Sequence, residues 1–281
     1  MEEFPGVETT TVLPETSDSI HLKSLSLDCN QKSAAAIHEI NILLKCASPF
    51  VVRLRHVVYQ KEQQMVTLVM LNEGIDLREI LLKQSGSKLD DATKIMADVV
   101  SCLCYIHNKL NICHRDLKPS NILISPSTGQ LRLADFGFAT DATRMLSGAV
   151  GSPGFIAPEM MLSEFYDGRA SDIWSCGVLY AECILGSEIF EEHWMRQGPF
   201  SPDSMQRESG AFQVRMLRAL RHLRDLERRD NCYSADIGRI FRRTVVLQPK
   251  RRCNAQELSE ELRIMLHDED GDKDGDNVVT H

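Results

Sequence analysis

Three side chains in the middle of the sequence have the types needed to bind magnesium and to move a proton. Asp116 and Asn121 lie in the run His114–Asn121, and Asp135 opens the tripeptide Asp-Phe-Gly fourteen residues later. A carboxylate can take up the proton of a hydroxyl group, and carboxylate and amide oxygens are suitable Mg²⁺ ligands. The pattern therefore predicts a phosphoryl-transfer site for a magnesium–nucleotide complex.

The run and the tripeptide resemble the catalytic loop and the metal-binding motif of the eukaryotic protein kinases of serine/threonine type. By this resemblance, Asp116 orients and deprotonates a substrate hydroxyl, and Lys118 steadies the transferring phosphoryl group. Asn121 and Asp135 would hold Mg²⁺ on the phosphates of ATP. Lys118 indicates the serine/threonine branch, because tyrosine kinases generally lack a lysine there. Arg115, beside Asp116, is counted with the catalytic residues.

Hydrophobic patterning predicts the elements that position these residues. Alternating stretches at 7–13 and 20–27 indicate strands, as do residues 51–58 and 64–71. From Ser33 the pattern becomes helical. The sequence therefore predicts a small, strand-rich first part that contains one helix.

The predicted helix has one apolar face made of Ile37, Ile40 and Leu44, and Glu39 lies outside that face. By resemblance to protein kinases, Lys23 is the strand lysine that holds the nucleotide phosphates, and Glu39 is its helix partner. The alternative is that both side chains are solvated surface groups.

Residues 71–73 fall where protein kinases have the hinge between their two lobes. The resemblance implies that backbone groups of Leu71 and Glu73 bind adenine. Met70 would be the gatekeeper behind the adenine, and Asp76 would reach the ribose. The alternative is an ordinary loop between a strand and a helix.

The second part of the chain is predicted to be mainly helical. Asp90 and Asp91 are N-cap candidates for a long helix that leads to His114. Short strands at 122–124 and 131–133 form a hairpin that would place Asn121 and Asp135 at its two open ends.

Further helices are predicted toward the C-terminus. Residues 171–185 are apolar nearly all round, which is typical of a buried helix. An irregular connection at 187–210 and an amphipathic helix at 211–229 follow. Ile237, Ile240 and Phe241 mark another helix, and Asn254 with Glu257 resembles a capping box at the start of the last one.

Residues 135–159 resemble the activation segment of the protein kinases. By this resemblance, Ser152 contacts the catalytic aspartate. Arg115 implies a basic pocket that a phosphate on the segment could order, with three candidate acceptors: Thr140, Thr143 and Ser147. The resemblance also implies structural roles, including a pair between Glu159 and Arg252 and an anchor for the catalytic loop at Asp172, for five residues: His114, Phe136, Glu159, Asp172 and Arg252.

Composition argues against several classes of partner and site. The formal net charge of −8 and the pI near 5.6 argue against non-specific binding to nucleic acid or to anionic membranes. Nine scattered cysteines predict neither a disulfide framework nor a zinc site. No apolar run approaches the length of a membrane span. We expect an intracellular protein, located in the cytoplasm with the nucleus as an alternative, that has a protein substrate and a regulatory protein partner.

The C-terminal segment is acidic. Residues 270–275 match the first half of a calcium-binding loop, but position twelve is His281 instead of glutamate. A disordered acidic tail at 267–281 is the preferred interpretation. A calcium-responsive protein that acts through this tail is an alternative.

The N-terminal residues depart from the protein kinase pattern. No glycine-rich loop precedes Lys23: Gly6 occupies the third glycine site, whereas Met1 and Glu3 occupy the first two. His21 stands where a small alanine is usual. Either the chain is a pseudokinase that acts as a binding or scaffold module, or the true start of the chain lies upstream of Met1.

The predicted fold is α+β and resembles the bilobal protein kinase fold. It has a small antiparallel sheet with one helix, from which the first strand is missing, and a larger, mainly helical lobe. The predicted boundaries are 1–70 for the first lobe, 71–76 for the hinge, 77–266 for the second lobe and 267–281 for the tail.

Overall fold

A computed structural model of the chain describes residues 20–84, 91–196, 218, 221 and 235–273, with the backbone alone at 235–237 and 267–273. Antiparallel strands form the first part, and helices dominate the second. This arrangement confirms the predicted α+β class. The predicted strand at 7–13 and the glycine positions near Gly6 lie outside the described residues.

The first sheet has three antiparallel strands: β1 (Ile20–Ser26), β2 (Leu54–Gln60) and β3 (Met65–Leu71), in the order β1-β3-β2. β3 is central, and Val66 and Leu68 are fully buried. The nearly continuous apolar run of β3 follows from this position, because a central strand is covered on both faces. β2 begins three residues later than predicted, since Val51 instead forms a parallel bridge with Leu133.

Helix α1 (Asn30–Lys45) packs on this sheet, and its buried face differs from the predicted one. Leu43 is buried, whereas Leu44 is 47 % exposed, so the assignment of Leu44 to the apolar face is wrong. Glu39 lies on the buried face and is only 3 % exposed. A charged residue was expected to point outward, but its contact with Lys23 explains its burial.

A second small sheet connects the two parts. β4 (Ile75–Asp76) pairs with β6 (Ile122–Ile124), and β6 pairs with β7 (Leu131–Leu133), all antiparallel. Helix α2 (Leu77–Lys83) follows β4 directly. The predicted hairpin is therefore present as β6 and β7.

Two long helices form the centre of the second part. Helix α3 (Ala92–Cys104) continues as a π-helical turn, Tyr105–Lys109. Helix α5 (Gly168–Leu185) is buried along nearly its whole length and ends at Gly186, which adopts a positive φ of 78°. Asp91 precedes α3 without capping it through its side chain, and Asp90 lies outside the described residues. The prediction of a buried helix is confirmed.

Shorter elements complete the described fold. β5 (Ile112–Cys113) pairs with β8 (Thr140–Asp141), and helix α4 (Pro158–Leu162) follows the segment after β8. Helix α6 (Ser187–Phe190) and a π-helical turn, Glu191–Arg196, replace the start of the predicted irregular connection. The buried rings of Phe190 and Trp194 account for this ordered packing.

The last described helices are α7 (Ala235–Thr244) and α8 (Ala255–Lys273). The capping box is present: Asn254 Oδ1 accepts the Glu257 N–H at 2.9 Å, and Glu257 accepts the Asn254 N–H at 3.2 Å. α8 continues to Lys273, seven residues into the predicted tail at 267–281. Apart from helical residues 218 and 221, the predicted helix at 211–229 lies outside the described residues, as does the chain beyond residue 273.

Candidate active site

One ammonium group joins three elements at the cleft between the two parts. Lys23 Nζ, from β1, donates to Glu39 Oε1 on α1 at 2.7 Å and to Asp135 Oδ1 after β7 at 2.8 Å. The Glu39 side chain is 4 % exposed, whereas that of Asp135 is 42 % exposed. Glu39 thus fixes Lys23 from the buried side, and Asp135 faces the open side.

The charges of this triad affect one another. Burial disfavours the charged form of Lys23, but hydrogen bonds to Asp135 and Glu39 outweigh it and raise the Lys23 pKa. Burial raises the pKa of Glu39 despite the opposing effect of Lys23. Burial would also raise the pKa of Asp135, but its bond with Lys23 holds that pKa below its ordinary value. Asp135 is therefore an anion at neutral pH.

A second cluster surrounds Asp116, which is 3 % exposed. Its Oδ2 accepts hydrogen bonds from Lys118 Nζ at 2.9 Å and from Asn121 Nδ2 at 3.1 Å. Lys118 Nζ also donates to Ser152 Oγ at 2.6 Å. Ser152 thus reaches Asp116 through Lys118.

The other carboxylate oxygen of Asp116 has a different environment. Asp116 Oδ1 is buried and has no hydrogen-bond partner within the described part of the chain. An unpaired buried acceptor is costly, so a donor such as a hydroxyl group would be bound favourably there. Gly151, at φ 101°, lies beside it, and a Cβ at this position would come within 2.4 Å of the Arg115 carbonyl oxygen. Only glycine fits this close approach.

Backbone hydrogen bonds to a buried aspartate fix the loop that carries Asp116. Asp172, on α5, accepts the N–H groups of His114 and Arg115, each at 2.7 Å, and the Nε2 of His107 at 2.8 Å. Asp172 is fully buried. Arg115 has a positive φ of 67°, and these bonds hold its backbone in that conformation. Sequence reasoning did not identify His107, which has no motif of its own.

His114 and Phe136 are buried side chains that pack beside Asp116 and Asp135. His114 Nε2 donates to the Ala134 carbonyl at 3.0 Å, and its Nδ1 accepts the Asp116 N–H at 3.3 Å. The His114 and Phe136 rings meet edge to face with centroids 4.9 Å apart. Burial lowers the pKa of His114, so the ring is neutral.

The oxygen donors at this site suit a metal ion that binds protein side chains and nucleotide phosphates at the same time. Within the described ranges, no group of three or more His, Cys, Asp or Glu residues forms a metal site. Asn121 and Asp135 have side-chain oxygens and lie at neighbouring positions, since the Asn121 carbonyl accepts the Ala134 N–H at 2.9 Å. Mg²⁺ commonly takes one or two protein ligands together with phosphate oxygens, so this donor set is suitable. A Cβ at Gly137 would lie 3.3 Å from Asp135 Oδ1 and 3.6 Å from Lys23 Nζ, so glycine keeps this space open.

The predicted hinge residues differ in their burial and in their hydrogen-bond partners. Met70 is buried at the end of β3, and the Leu71 N–H donates to the Arg53 carbonyl at 3.1 Å. The prediction for Leu71 is therefore limited to its carbonyl group. The Glu73 carboxylate accepts a hydrogen bond from Arg53 Nε at 2.7 Å. Asp76 Oδ1 caps α2 by accepting the Glu79 N–H at 2.8 Å.

A family comparison matches most of the chain. The model of the protein kinase domain family covers residues 8–262. The chain belongs to the protein kinase family. ATP and a divalent metal ion are used generally in this family, and the Lys23 and Asp135 geometry is compatible with both.

Similar proteins are also kinases. CBL-interacting protein kinase 24 of Oryza sativa subsp. japonica is 33 % identical over 184 residues, which cover 63 % of this chain and 40 % of that protein. CBL-interacting serine/threonine-protein kinase 21 of Arabidopsis thaliana is 35 % identical over 157 residues, or 55 % of this chain and 37 % of that protein. The mitosis inducer protein kinase cdr2 of Schizosaccharomyces pombe is 31 % identical over 64 % of this chain and 24 % of its own length. The chain thus matches less than half the length of each.

Protein contacts hold the segment that resembles a kinase activation segment. Arg115 Nε donates to the Phe138 carbonyl at 2.7 Å, and its Nη1 donates to Tyr166 Oη at 3.3 Å. The Tyr166 hydroxyl donates to the Gly148 carbonyl at 3.1 Å. These contacts occupy the region where a phosphate-binding pocket around Arg115 was predicted. Tyr166 was not identified from the sequence.

The three candidate phosphate acceptors differ in accessibility. Thr140 lies in β8 and is half-buried, whereas Thr143 and Ser147 are exposed. The Thr143 hydroxyl donates to Asp141 Oδ1 at 2.6 Å. None of the three hydroxyl groups bonds to Arg115 among the hydrogen bonds of the described residues.

The end of this segment is bound to the helical core of the kinase domain. Glu159 accepts hydrogen bonds from Arg252 at 2.5 and 2.7 Å, and Arg252 also lies 5.0 Å from the ring centroid of Trp174. Trp194 Nε1 donates to the Gly154 carbonyl at 2.8 Å, and Ser175 Oγ donates to the Phe155 carbonyl at 2.7 Å. Trp194 and Ser175 carry no motif signal that would identify these contacts. Their partners are backbone groups far away in the sequence.

Among the described residues, no helix has both the length and the apolar composition needed to cross a bilayer.

Proposed function

We propose that the chain is a serine/threonine protein kinase that transfers the γ-phosphate of Mg-ATP to serine or threonine hydroxyl groups of proteins. The observation that carries this proposal is the Lys23 ammonium group, which bonds to Glu39 and Asp135 at 2.7 and 2.8 Å. This triad connects the small sheet to the loop that would bind the metal. Phosphoryl transfer depends mainly on such positioning and on charge stabilisation.

Each residue has a proposed role in this reaction. ATP supplies the phosphoryl group, and Mg²⁺ neutralises its developing charge. Lys23 orients the phosphates, and Asn121 and Asp135 provide metal ligands. Asp116 accepts the hydrogen bond of the substrate hydroxyl at its unpaired Oδ1 and takes up the proton there. Lys118, which bonds to Asp116 Oδ2, stabilises the negative charge of the transferring group.

The hinge and the activation segment complete the proposal. The Leu71 carbonyl and the Glu73 backbone bind adenine, Met70 lies behind the ring, and Asp76 reaches the ribose. Lys118 connects Ser152 to Asp116, so Ser152 would bring the substrate-docking loop to the catalytic group. Thr140, Thr143 and Ser147 are proposed regulatory phosphate acceptors.

The decisive experiment replaces the proposed proton acceptor. Asp116→Asn retains the size and the Oδ1 position but removes the negative charge. We expect Mg-ATP-dependent phosphorylation of a mixed Ser/Thr peptide substrate to fall by a factor of about 10² or more, since general base catalysis contributes on the order of 10²–10⁴. Exposed Asp28→Asn is the matched control and should retain full activity. Equal activity of wild type and Asp116→Asn would refute catalysis at this site.

A second candidate function is that of a pseudokinase, a binding or scaffold module with weak or no phosphoryl transfer. Gly6 is the single glycine among the residues before Lys23, which favours this candidate because backbone N–H groups of a glycine-rich loop normally bind the phosphates. A thermal-shift titration with Mg-ATP distinguishes the two candidates when it is paired with the phosphorylation assay. Nucleotide stabilisation without phosphorylation would support the scaffold function.

A regulatory protein partner is also proposed. Two of the similar kinases are named as CBL-interacting, although this chain covers 40 % and 37 % of their lengths. A pull-down with a purified candidate partner would test whether this chain alone contains a binding site.

A further inference from the structure

A cavity of about 330 Å³ lies beside residues 71–73, next to the start of β2 and the turn between β6 and β7. Polar side chains dominate its lining, and they include Arg53, Arg55, Glu73, Ser125, Thr128 and Arg132. None of the side chains proposed to bind magnesium or the ATP phosphates lines it. Leu71 and Glu73, whose backbone groups are proposed to bind adenine, do line it, so the cavity adjoins the proposed adenine site and is separate from the residues proposed to bind magnesium and phosphate.

The cavity is positively charged in a protein that is negative overall. Arg53 and Arg132 share one carboxylate, that of Glu73, which leaves one positive charge among these three lining residues. The whole chain has a formal charge of −8. A local excess of this kind attracts anions and repels cations.

Glu73 organises the arginines without neutralising them. Its side chain is 5 % exposed and lies 2.7 Å from Arg53 Nε and 3.2 Å from Arg132 Nε. Arg132 also donates from Nη2 to Gln130 Oε1 at 3.0 Å. The two guanidinium groups are thus held in fixed positions, which lowers the entropic cost of binding a ligand.

One donor of this cluster lacks an acceptor. Arg132 Nη1 is buried without a hydrogen-bond partner within the described part of the chain, and the Arg132 side chain is 12 % exposed. A buried donor without an acceptor costs free energy, which a ligand oxygen would recover. At the rim, the hydroxyl groups of Ser125 and Thr128 are further donors.

We propose that this cavity binds a phosphorylated serine or threonine presented by a segment of another protein. Guanidinium groups bind phosphate oxygens in pairs, and clusters of arginine are a recurrent means of phosphopeptide recognition. The volume lies at the lower end of the range for small-molecule pockets, and Arg53 and Arg55 at the cavity are exposed. An open site of this size suits one side chain held by a larger partner.

Fluorescence anisotropy with the full chain tests this proposal. The probe is a labelled, degenerate peptide mixture with one fixed phosphoserine, and parallel mixtures carry serine or aspartate at that position. We expect the phosphoserine mixture to bind at least about tenfold more tightly than the serine mixture, with an affinity that falls as salt rises. The double variant Arg53→Gln/Arg55→Gln should lose about tenfold or more in affinity.

A matched control separates this site from general electrostatic attraction. The variant Arg242→Gln/Arg263→Gln removes two exposed arginines outside the cavity and should bind like wild type. Thermal unfolding of both variants verifies that they fold. Equal losses in the two variants, or equal binding of the phosphoserine and serine mixtures, would overturn the proposal.

The remaining outcomes also decide between ligands. Equal binding of the aspartate and phosphoserine mixtures would overturn phosphate recognition in favour of a general acidic peptide site. Binding of free inorganic phosphate as tight as that of the phosphopeptide would overturn the peptide partner. Because the assay measures binding without ATP, its result is independent of the phosphorylation assay with Asp116→Asn.

Discussion

Glu39 is a charged residue that the fold buries, and both burial and its charged neighbours affect its ionisation. Burial raises its pKa, and Lys23 opposes this increase. The folded state therefore holds the Glu39 proton more tightly than the unfolded state does. This contribution to stability is fully present below the ordinary pKa of Glu39 and is lost as the pH rises through the raised value.

Glu39→Gln should separate stability from function. The variant removes a buried charge at constant size, and Lys23 keeps its bond to Asp135 at 2.8 Å. We expect Tm to change by less than about 5 °C, because the lost ion pair and the avoided desolvation partly offset each other. In contrast, kcat/KM for ATP should fall at least about tenfold, since Lys23 is less well positioned.

Exposed Glu79→Gln is the control for this change, because Glu79 pairs with Lys83 on a helix surface. Calorimetry and steady-state kinetics provide the two measurements. An unchanged kcat/KM in Glu39→Gln would contradict the proposed role of the Lys23–Glu39 pair.

At the scale of elements, contacts between distant segments fix the chain between β8 and α4. Leu146 and Tyr166 exchange two backbone hydrogen bonds of 2.8 Å. The Tyr166 side chain, 2 % exposed, links Arg115 to the Gly148 carbonyl. Hydrogen bonds to other groups of the protein therefore hold this segment in place.

Tyr166→Phe removes one hydroxyl group from this network and should loosen the segment. Loss of the bonds to Arg115 and Gly148 should lower the free energy of unfolding by about 1–3 kcal/mol, because two part-buried hydrogen bonds of the buried Tyr166 are removed. Hydrogen exchange should become faster near Gly148. Tyr59→Phe, in the first sheet, is the control, and unchanged exchange near Gly148 would count against the network.

At the scale of the whole molecule, one buried ion pair joins segments 93 residues apart. Glu159 lies in the first turn of α4, and Arg252 lies after the turn Pro249–Arg251. The Arg252 side chain is fully buried, and it also donates to the carbonyl groups of Ala170 and Val246. The Arg252 guanidinium group therefore joins α4, α5 and the segment after α7.

Replacing Arg252 with glutamine should destabilise the whole fold. The variant leaves Glu159 buried without its charged partner, and breaking a buried pair in this way costs about 3–5 kcal/mol. Urea unfolding would measure the loss. Arg251→Gln, at a neighbouring exposed position, should change stability by less than about 0.5 kcal/mol. Similar stabilities of the two variants would refute the importance of the pair.

The sequence was sufficient to predict those features that depend on local patterns. The α+β class, the hairpin of β6 and β7, the buried helix α5 and the capping box at Asn254 all follow from periodicity or from short motifs. The contact between Glu39 and Lys23 was predicted by resemblance, but the burial of Glu39 was not, because charge normally favours exposure and only this contact reverses that preference. Tyr166 and His107 could not be predicted, because their roles depend on partners 51 and 65 residues away.

The backbone bonds around Leu133 have a consequence for motion. Leu133 donates to the Phe50 carbonyl at 2.9 Å, and its own carbonyl accepts the Val52 N–H at 3.1 Å. These two hydrogen bonds connect the stretch between α1 and β2 to β7. The covalent connection at 71–73 passes close to them. Because both connections lie on the same side, we expect the cleft to open by rotation about that edge. Its far rim should then move farthest, and Lys23 should separate from Asp135 before residues 50–52 separate from β7.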